Sequence, residues 1–235
     1  MKEEKLTRLQ LLELKDPSSP LLKKLRLKAP GTYFHSLIVS ELAGSAALHF
    51  PNADPLLAQV GGLYHDIGKI STPEAYAENQ EDANYPFEPE VILTHVEKSI
   101  EMAKAFSLPE EIQRFMATHH GTQNAPQLNK DQNNLYPRSF RPQTTEETLV
   151  MLADSSEAAV RSSKKSDRVS LMGIVRSVFE EKTKNDQLRD SVIILHDLKQ
   201  IEEAFVDVFV SLYHRRHATE DFPEKQIEKN LNEDF

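Results

Sequence analysis

The chain has 235 residues, no cysteine and a formal net charge of −9, from 28 Lys and Arg against 37 Asp and Glu. That length fits one ordinary domain with a sizeable core, and the lack of cysteine excludes disulfides, thiolate metal sites and cysteine nucleophiles while suiting a reducing compartment. No apolar run approaches the roughly 20 residues of a membrane span, the start Met1-Lys2-Glu3-Glu4-Lys5 lacks the apolar core of a signal peptide, and the acidic balance argues against broad binding to duplex nucleic acid.

The periodicity is helical almost throughout. Apolar residues recur at helical spacing over 6–14, until Pro17 and Pro20 interrupt; residues 21–27 form a second amphipathic piece, ended by Ala29-Pro30-Gly31. Thr32 is placed to cap a third helix running to about Phe50, where Pro51 and Asn52 break it. Asp54-Pro55 reads as an N-cap followed by proline at the first helical position. The helix it opens turns Leu56, Leu57, Val60 and Leu63 to the core and delivers His65 and Asp66 near its end. Residues 70–89, rich in Asn, Pro, Glu and Asp, read as a loop or very short helices, and a helix over 90–106 follows. Ser107 and Glu110 have capping-box spacing, with Pro109 in the first turn. The helix they predict ends at His119-His120, with Gly121 as its stop. Residues 122–143 are a polar, proline-containing loop of a length that is often functional in compact domains. Thr144 and Glu147 repeat the capping-box spacing ahead of the helix that contains Asp154. After a polar break at 162–166 come two more helices, about 168–184 and 197–217. The charged tail 218–235 reads as loosely held. Residues 191–195 are the one strand-like run, which a buried helix start explains equally well. The expected fold is all-α, with a lead-in over 1–30, a main domain over 31–217 and the tail.

Nine histidines are present, and five of them, His35, His65, His95, His119 and His120, fall in or at the end of predicted helices. Asp66 and Asp154 add carboxylates. Helices of a bundle can point such side chains into one cavity, and imidazole nitrogen with carboxylate oxygen suits divalent iron, manganese, nickel or zinc. Each residue has an ordinary alternative. His35, on a stripe with Val39 and Leu42, and His95, among Val91, Ile92, Val96 and Ile100, read singly as hydrogen-bonded core histidines. His119 and His120 read singly as complements to a helix dipole. Asp154, within Met151-Leu152-Ala153-Asp154, is harder to set aside, because a carboxylate in an apolar segment is costly unless paired or metal-bound. Seven nitrogen and oxygen candidates exceed one tetrahedral site. They suffice for two metals if a carboxylate bridges, and Asp66, directly after His65, is the natural bridge.

The ordered set Tyr64-His65-Asp66-Ile67-Gly68-Lys69, Glu78-Asn79-Gln80, His119-His120-Gly121-Thr122, Arg141-Pro142-Gln143-Thr144 and Met151-Leu152-Ala153-Asp154 with Glu157-Ala158-Ala159-Val160-Arg161 resembles the HD-domain phosphohydrolases. It looks closest to the cytoplasmic domain of the seven-transmembrane HD family, the PgpH-like cyclic-di-AMP phosphodiesterases. Ala29-Pro30-Gly31-Thr32-Tyr33 with His35-Ser36-Leu37, and Leu11-Leu12-Glu13-Leu14 with Pro20-Leu21-Leu22-Lys23, extend the likeness over most of the chain. The resemblance implies an HD-domain helical bundle around a dinuclear centre, with one metal on His35, His65, Asp66 and Asp154 and another on Asp66, His95, His119 and His120, iron or manganese being usual. The chain departs from the family at Asn84-Tyr85-Pro86-Phe87, Gln123-Asn124-Ala125-Pro126 and Phe140-Arg141-Pro142-Gln143, in substrate loops rather than at the ligands.

The expected activity is hydrolysis of a cyclic dinucleotide, cyclic-di-AMP to linear pApA, by a hydroxide held between the metals. Asp66 and Lys69 are the expected catalytic residues. Lys69, Thr122 and Arg161 are the candidate phosphate contacts. Thr122 serves equally as a loop cap, and Arg161, two helical turns past Asp154, equally as a partner for Glu157. Tyr33, Tyr64 and Tyr136 are candidates to stack on a base, with core packing favoured for Tyr64. His49 and His196 belong to no motif, and His214-Arg215-Arg216-His217 read as helix-end decoration. The competing functions are a nucleotide monoesterase or cyclic-di-GMP phosphodiesterase, and a non-catalytic nucleotide-sensing module. The resemblance also implies a cytoplasmic location and attachment to a membrane sensor region not contained in this sequence.

Overall fold

The computed structural model describes residues 6–80, 89–122 and 139–220. Expectations for Tyr136, for the departures at 84–87 and 123–126 and for residues 221–235 lie outside the described residues, as do the side chains of His214, Arg215, Arg216 and His217. Among the described residues the structure is helical with no strand, and no helix is long and apolar enough to cross a membrane.

Two short helices lead in. α1 (Arg8–Lys15) starts with a capping box between Thr7 and Gln10, and α2 (Pro20–Lys28) starts with proline in the first turn. α3 (Pro30–Ala47) also begins on a proline, whose fixed φ suits the first helical position. Thr32 therefore lies inside the helix and is not its cap. Its backbone N–H donates to Asn79 Oδ1 and its hydroxyl to Glu78 Oε1. α3 is buried over most of its circumference, through Val39, Leu42 and the small residues Ala43, Gly44, Ala46 and Ala47. That pattern marks a helix surrounded by others, and α3 packs on α4 (Pro55–Tyr64), α7 (Thr145–Ser163) and α9 (Leu195–Glu220).

α4 is capped as expected, Asp54 accepting from the N–H groups of Leu56 and Leu57. Leu56, Val60 and Leu63 are buried and Leu57 is half-buried. After α4 the chain makes three short 3-10 helices, Ile67–Ser71, Pro73–Ala75 and Ala77–Asn79. α5 (Pro89–Ala105) packs on the first of them.

Ser107 does not cap α6 (Glu110–Thr118), which starts at Pro109 without a side-chain cap. Ser107 instead ends α5 in a left-handed conformation, φ 54°. Its N–H returns to Lys104 O, and that of buried Leu108 to Ala103 O, the bonding that closes a helix C-terminus. At α7 half of the predicted box forms: Thr144 accepts from the Glu147 N–H. The Glu147 carboxylate accepts from the Gln143 N–H and from Arg114 rather than from the cap residue. α8 (Arg168–Lys184) is capped by Asp167 and packs on α7 and α9. Residues 191–194 form neither a strand nor a buried helix start. Ile193 is buried, but Val192, Ile194 and Leu195 are exposed, and α9 begins at Leu195.

Tyr64 shows how the lead-in is fastened. The ring is buried in the core, and its hydroxyl donates to Leu14 O and meets Ser19 Oγ, each at 2.9 Å. Tyr64→Phe should leave the helical circular dichroism unchanged. It should lower unfolding free energy by about 1–3 kcal/mol, the cost of stranding buried polar groups, read from urea denaturation; an unchanged midpoint would show that the lead-in is held by packing alone.

Candidate metal centre

Five segments converge on one buried space. α3 contributes His35, and α4 ends at His65, which caps its C-terminus. At Asp66 the backbone leaves α-helical geometry (φ −112°, ψ 16°) and continues as the 3-10 helix carrying Lys69. Three-residue spacing in that tighter helix puts the two side chains on one face, and Lys69 Nζ lies 2.8 Å from Asp66 Oδ2. α5 contributes His95, the end of α6 His119 and His120, and α7 Asp154. All seven sequence-predicted ligands are thus brought together, in two groups: His35, His65, Asp66 and Asp154, and His95, His119 and His120.

In the first group His35 Nε2 is 3.0 Å from Asp154 Oδ1 and 3.3 Å from His65 Nε2, and His65 Nε2 is 3.1 Å from Asp66 Oδ2. In the second, His95 Nε2 is 3.3 Å from His119 Nε2 and 3.0 Å from His120 Nε2. Asp66 lies between the groups. Its Oδ2 faces the first, and its Oδ1 is 3.3 Å from His95 Nε2 and 3.6 Å from His119 Nε2. Asp154 offers a second link, with His120 Nδ1 4.0 Å from its Oδ2.

Hydrogen bonding fixes which ring nitrogens carry lone pairs. His65 Nδ1 lies 2.8 Å from Gly62 O, His95 Nδ1 2.6 Å from Ile92 O and His119 Nδ1 2.9 Å from Met116 O. A carbonyl only accepts, so each Nδ1 carries the proton and donates. His35 Nδ1 meets Glu157 Oε2 at 2.5 Å, and that carboxylate is fixed in turn by Arg161 Nε at 3.2 Å. In the neutral rings Nε2 then presents a lone pair to the cluster, the tautomer a metal ligand needs. Asp66 Oδ1 is buried and accepts no hydrogen bond among the described residues. Converging lone pairs and an orphaned carboxylate oxygen fit a divalent cation.

The electrostatics point the same way. Burial lowers an imidazole pKa, but at His35 hydrogen bonds with Asp154 and Glu157 outweigh it and raise the value to about 9. At His65 burial is outweighed by Asp66 and Asp154, and the value rises to about 10. Burial prevails at His95, lowered to about 4, and, with the neighbouring His119, at His120. Against the effect of their own burial, Asp66 is held well below the usual carboxylate range by Lys69 and His65, and Asp154 by His35 and His65. Without a metal, the first group draws protons into the place where a cation fits.

Lys69 is no surface lysine. Its side chain is 13% exposed, and Nζ also lies 2.9 Å from Glu78 Oε1 and 4.8 Å above the Tyr76 ring. Burial opposes its charge, yet Asp66 and Glu78 hold its pKa well above the ordinary lysine value. Glu78, against its own burial, is lowered to about 2 by Lys69. Thr122 is bonded to Gln187 through both N–H and hydroxyl. Of the two partners open to Arg161 in the sequence, the structure describes Glu157. Tyr33 and Tyr64 are both buried, while His49 and His196 are exposed and away from the cluster's contacts. An open cleft of about 600 Å³ lies elsewhere, bounded by Phe50, Leu57, Arg114, Thr144 and Val192, and no cluster side chain lines it.

Sequence reasoning did not assign the support given by Glu157, Glu78, Ser99 and Gln187. Glu157 carried a readable signal, being three residues past Asp154 on one helix face. Gly68 shows how Ser99 works: the Gly68 N–H donates to Ser99 Oγ at 2.8 Å, and a Cβ on Gly68 would lie 2.1 Å from His95 O. The 3-10 helix and α5 touch backbone to backbone there, which sets His95 against Asp66. Gly68→Ala should push α5 outward and cost about 1–3 kcal/mol, as overpacked cores do, with weakened metal uptake; an unchanged Tm would refute that close approach.

Comparison with known proteins agrees with this geometry. The chain is 33% identical over 238 residues to an uncharacterized protein of Synechocystis sp., covering 89% of this chain and 28% of that protein. It is 34% identical over 227 residues to the cyclic-di-AMP phosphodiesterase PgpH of Listeria monocytogenes, covering 90% and 32%. It therefore spans about a third or less of the length of these relatives. The crystal structure of the L. monocytogenes PgpH HD domain in complex with cyclic-di-AMP superposes with a TM-score of 0.76 at 31% identity, over 84% of this chain and 100% of that one. Residues 32–159, which include all seven clustered side chains, match the HD domain family, and the chain belongs to that family.

Proposed function

We propose that the chain is a metal-dependent phosphodiesterase that opens a cyclic dinucleotide, cyclic-di-AMP to linear pApA, in the cytoplasm. The observation that carries this reading is the placement of Asp66, one oxygen toward each histidine group, with a lysine ammonium on the same carboxylate. His35, His65, Asp66 and Asp154 would hold one divalent metal, and Asp66, His95, His119 and His120 a second, iron or manganese suiting the nitrogen and oxygen donors. Such metals supply Lewis acidity toward a phosphate oxygen and lower the pKa of water. The likeness to a domain crystallised with cyclic-di-AMP supports the choice of nucleotide over a monoester or cyclic-di-GMP.

The chain's own groups bind and orient. Backbone carbonyls and Glu157 hold His35, His65, His95 and His119 in one tautomer, so most of the donor set is in place before substrate arrives. Lys69 remains protonated and donates to a non-bridging phosphate oxygen. Its contacts with Glu78 and Tyr76 keep the ammonium beside Asp66 and prevent its swinging into solvent, so little reorganisation accompanies the developing charge. Arg161 steadies Glu157, and through it His35.

Anaerobic reconstitution of metal-stripped protein with iron or manganese should give about two metals per chain, as two-metal hydrolysis needs. Product analysis over a nucleotide panel should identify pApA from cyclic-di-AMP. Asp66→Ala should lose both metals and hydrolysis while retaining its helical spectrum. A single tetrahedral zinc in a saturated, active preparation, or wild-type turnover by folded Asp66→Ala, would overturn the reading.

Lys69→Met keeps the bulk of the stem and removes the charge. Because protonated lysine has no lone pair for a metal, metal content should stay near normal. Turnover should fall on the order of tenfold or more, the effect of losing one contact to transition-state charge. Joint loss of metal and turnover would show instead that Lys69 holds the centre together.

A further inference from the structure

The family match ends at residue 159, yet the turn carrying His119 and His120 is held from beyond that point. α8 ends at Lys184, Asp186 takes a left-handed conformation (φ 61°), and the Gln187 N–H donates to Lys182 O at 3.0 Å. This hook aims the buried Gln187 side chain at the end of α6. Gln187 Nε2 donates to Asn185 O at 2.7 Å, which fixes the direction of the amide. Oε1 then accepts the Thr122 N–H at 2.8 Å and the Thr122 hydroxyl at 3.3 Å. Arg141 also forms ion pairs with Asp186 and Asp190 of the same connection, at 3.6 and 3.7 Å.

This hold adds to those the turn has from its own helix. His119 is anchored by its own helix, its N–H donating to Phe115 O and its ring to Met116 O. Beyond it the Gly121 N–H donates to Thr118 O at 3.0 Å and the backbone reverses through Gly121 at φ 59°, which closes the turn on its own helix. Its tie to the α8–α9 connection is at Thr122. Gly121 suits it doubly, since only glycine takes this φ freely and a Cβ there would lie 2.3 Å from Gln187 Oε1.

We propose that Gln187 is a positioning residue for the His95, His119 and His120 half of the centre, acting through the Thr122 backbone. The inference rests on the reading above, in which that half holds a metal. It gives Thr122 a different task from binding phosphate, because its hydroxyl proton goes to Gln187. It also makes the α8–α9 connection part of the centre although it contributes no ligand.

The test compares wild type with Gln187→Met, which keeps bulk and loses the acceptor, and Gln187→Glu, which keeps an acceptor. Amide hydrogen exchange at Thr122 is read in the metal-free protein, and metal-stripped protein is titrated with manganese. In wild type the Thr122 amide should be protected. Gln187→Met should lose that protection on the order of tenfold, the loss of about one hydrogen bond. It should also bind one manganese equivalent on the order of tenfold more weakly, as when a ligand's support is removed, the other being unchanged. Gln187→Glu should keep Thr122 protected. An unprotected Thr122 in wild type, Gln187→Met indistinguishable from wild type in manganese binding, or Gln187→Glu as unprotected as Gln187→Met would each overturn the proposal. Uptake of fewer than two equivalents by wild type would instead overturn the two-metal reading, and the exchange data would still decide whether Gln187 holds the turn.

Discussion

Lone pairs of like charge repel, and the interior of this protein crowds them. Five imidazoles and two carboxylates share a space from which bulk water is largely excluded. In the neutral rings of His35, His65, His95 and His119, carbonyls and Glu157 take the ring proton on the outer side, at Nδ1, so Nε2 is left without one on the inner side. Such an arrangement is unfavourable unless a positive charge enters, because buried charges and polar groups are costly without partners. Much of the surrounding structure makes sense as the means of imposing it. α3, buried over most of its circumference, holds His35 within the bundle. Two helix ends, those of α4 and α6, deliver pairs of adjacent polar residues where the backbone is already departing from helical geometry.

The two halves answer the constraint differently. The half built on His35 and His65 contains carboxylates and so attracts protons when no other cation is there. The half built on His95, His119 and His120 meets carboxylate only at the facing oxygen of Asp66 and, 4.0 Å from His120, at Asp154 Oδ2, and burial keeps His95 and His120 neutral. A metal entering the first half would compete with protons, whereas one entering the second would meet His95 and His120 already neutral. Lys69 adds a positive charge on the first side, which biases Asp66 toward ionisation.

The seven clustered side chains were legible in the sequence as candidate ligands because several are chemically out of place. An aspartate in Met151-Leu152-Ala153-Asp154 and histidines on apolar stripes have few low-cost explanations, and the structure brings them into one buried cluster. Asp54-Pro55 was legible because cap chemistry is local. Thr32 and Ser107 depart from their expected capping roles for the opposite reason. At Thr32 a proline two residues earlier had already started the helix, and the hydroxyl was taken by Glu78, 46 residues away. At Ser107 the need to close α5 overrode the capping box that the spacing suggested. Val192 and Ile194, apolar yet exposed, show that an apolar run without tertiary cover predicts neither burial nor strand. The hold of Gln187 on Thr122 crosses 65 residues, and no pattern in the intervening chain announces it.

That span has a consequence for biogenesis. His35 and Asp154 are 119 residues apart, so the centre cannot nucleate locally, and closing so long a loop must precede any reward from bringing the ligands together. On a ribosome, where the N-terminal part emerges first, the nascent chain exposes His65 and Asp66 long before Asp154 exists to join them, and the clasp from Gln187 arrives later still. A metal captured by the early pieces would be held by an incomplete set of ligands. On that reading the order of synthesis favours loading only once the α8–α9 connection has docked, and would make the finished centre a reporter of whether these helices have closed.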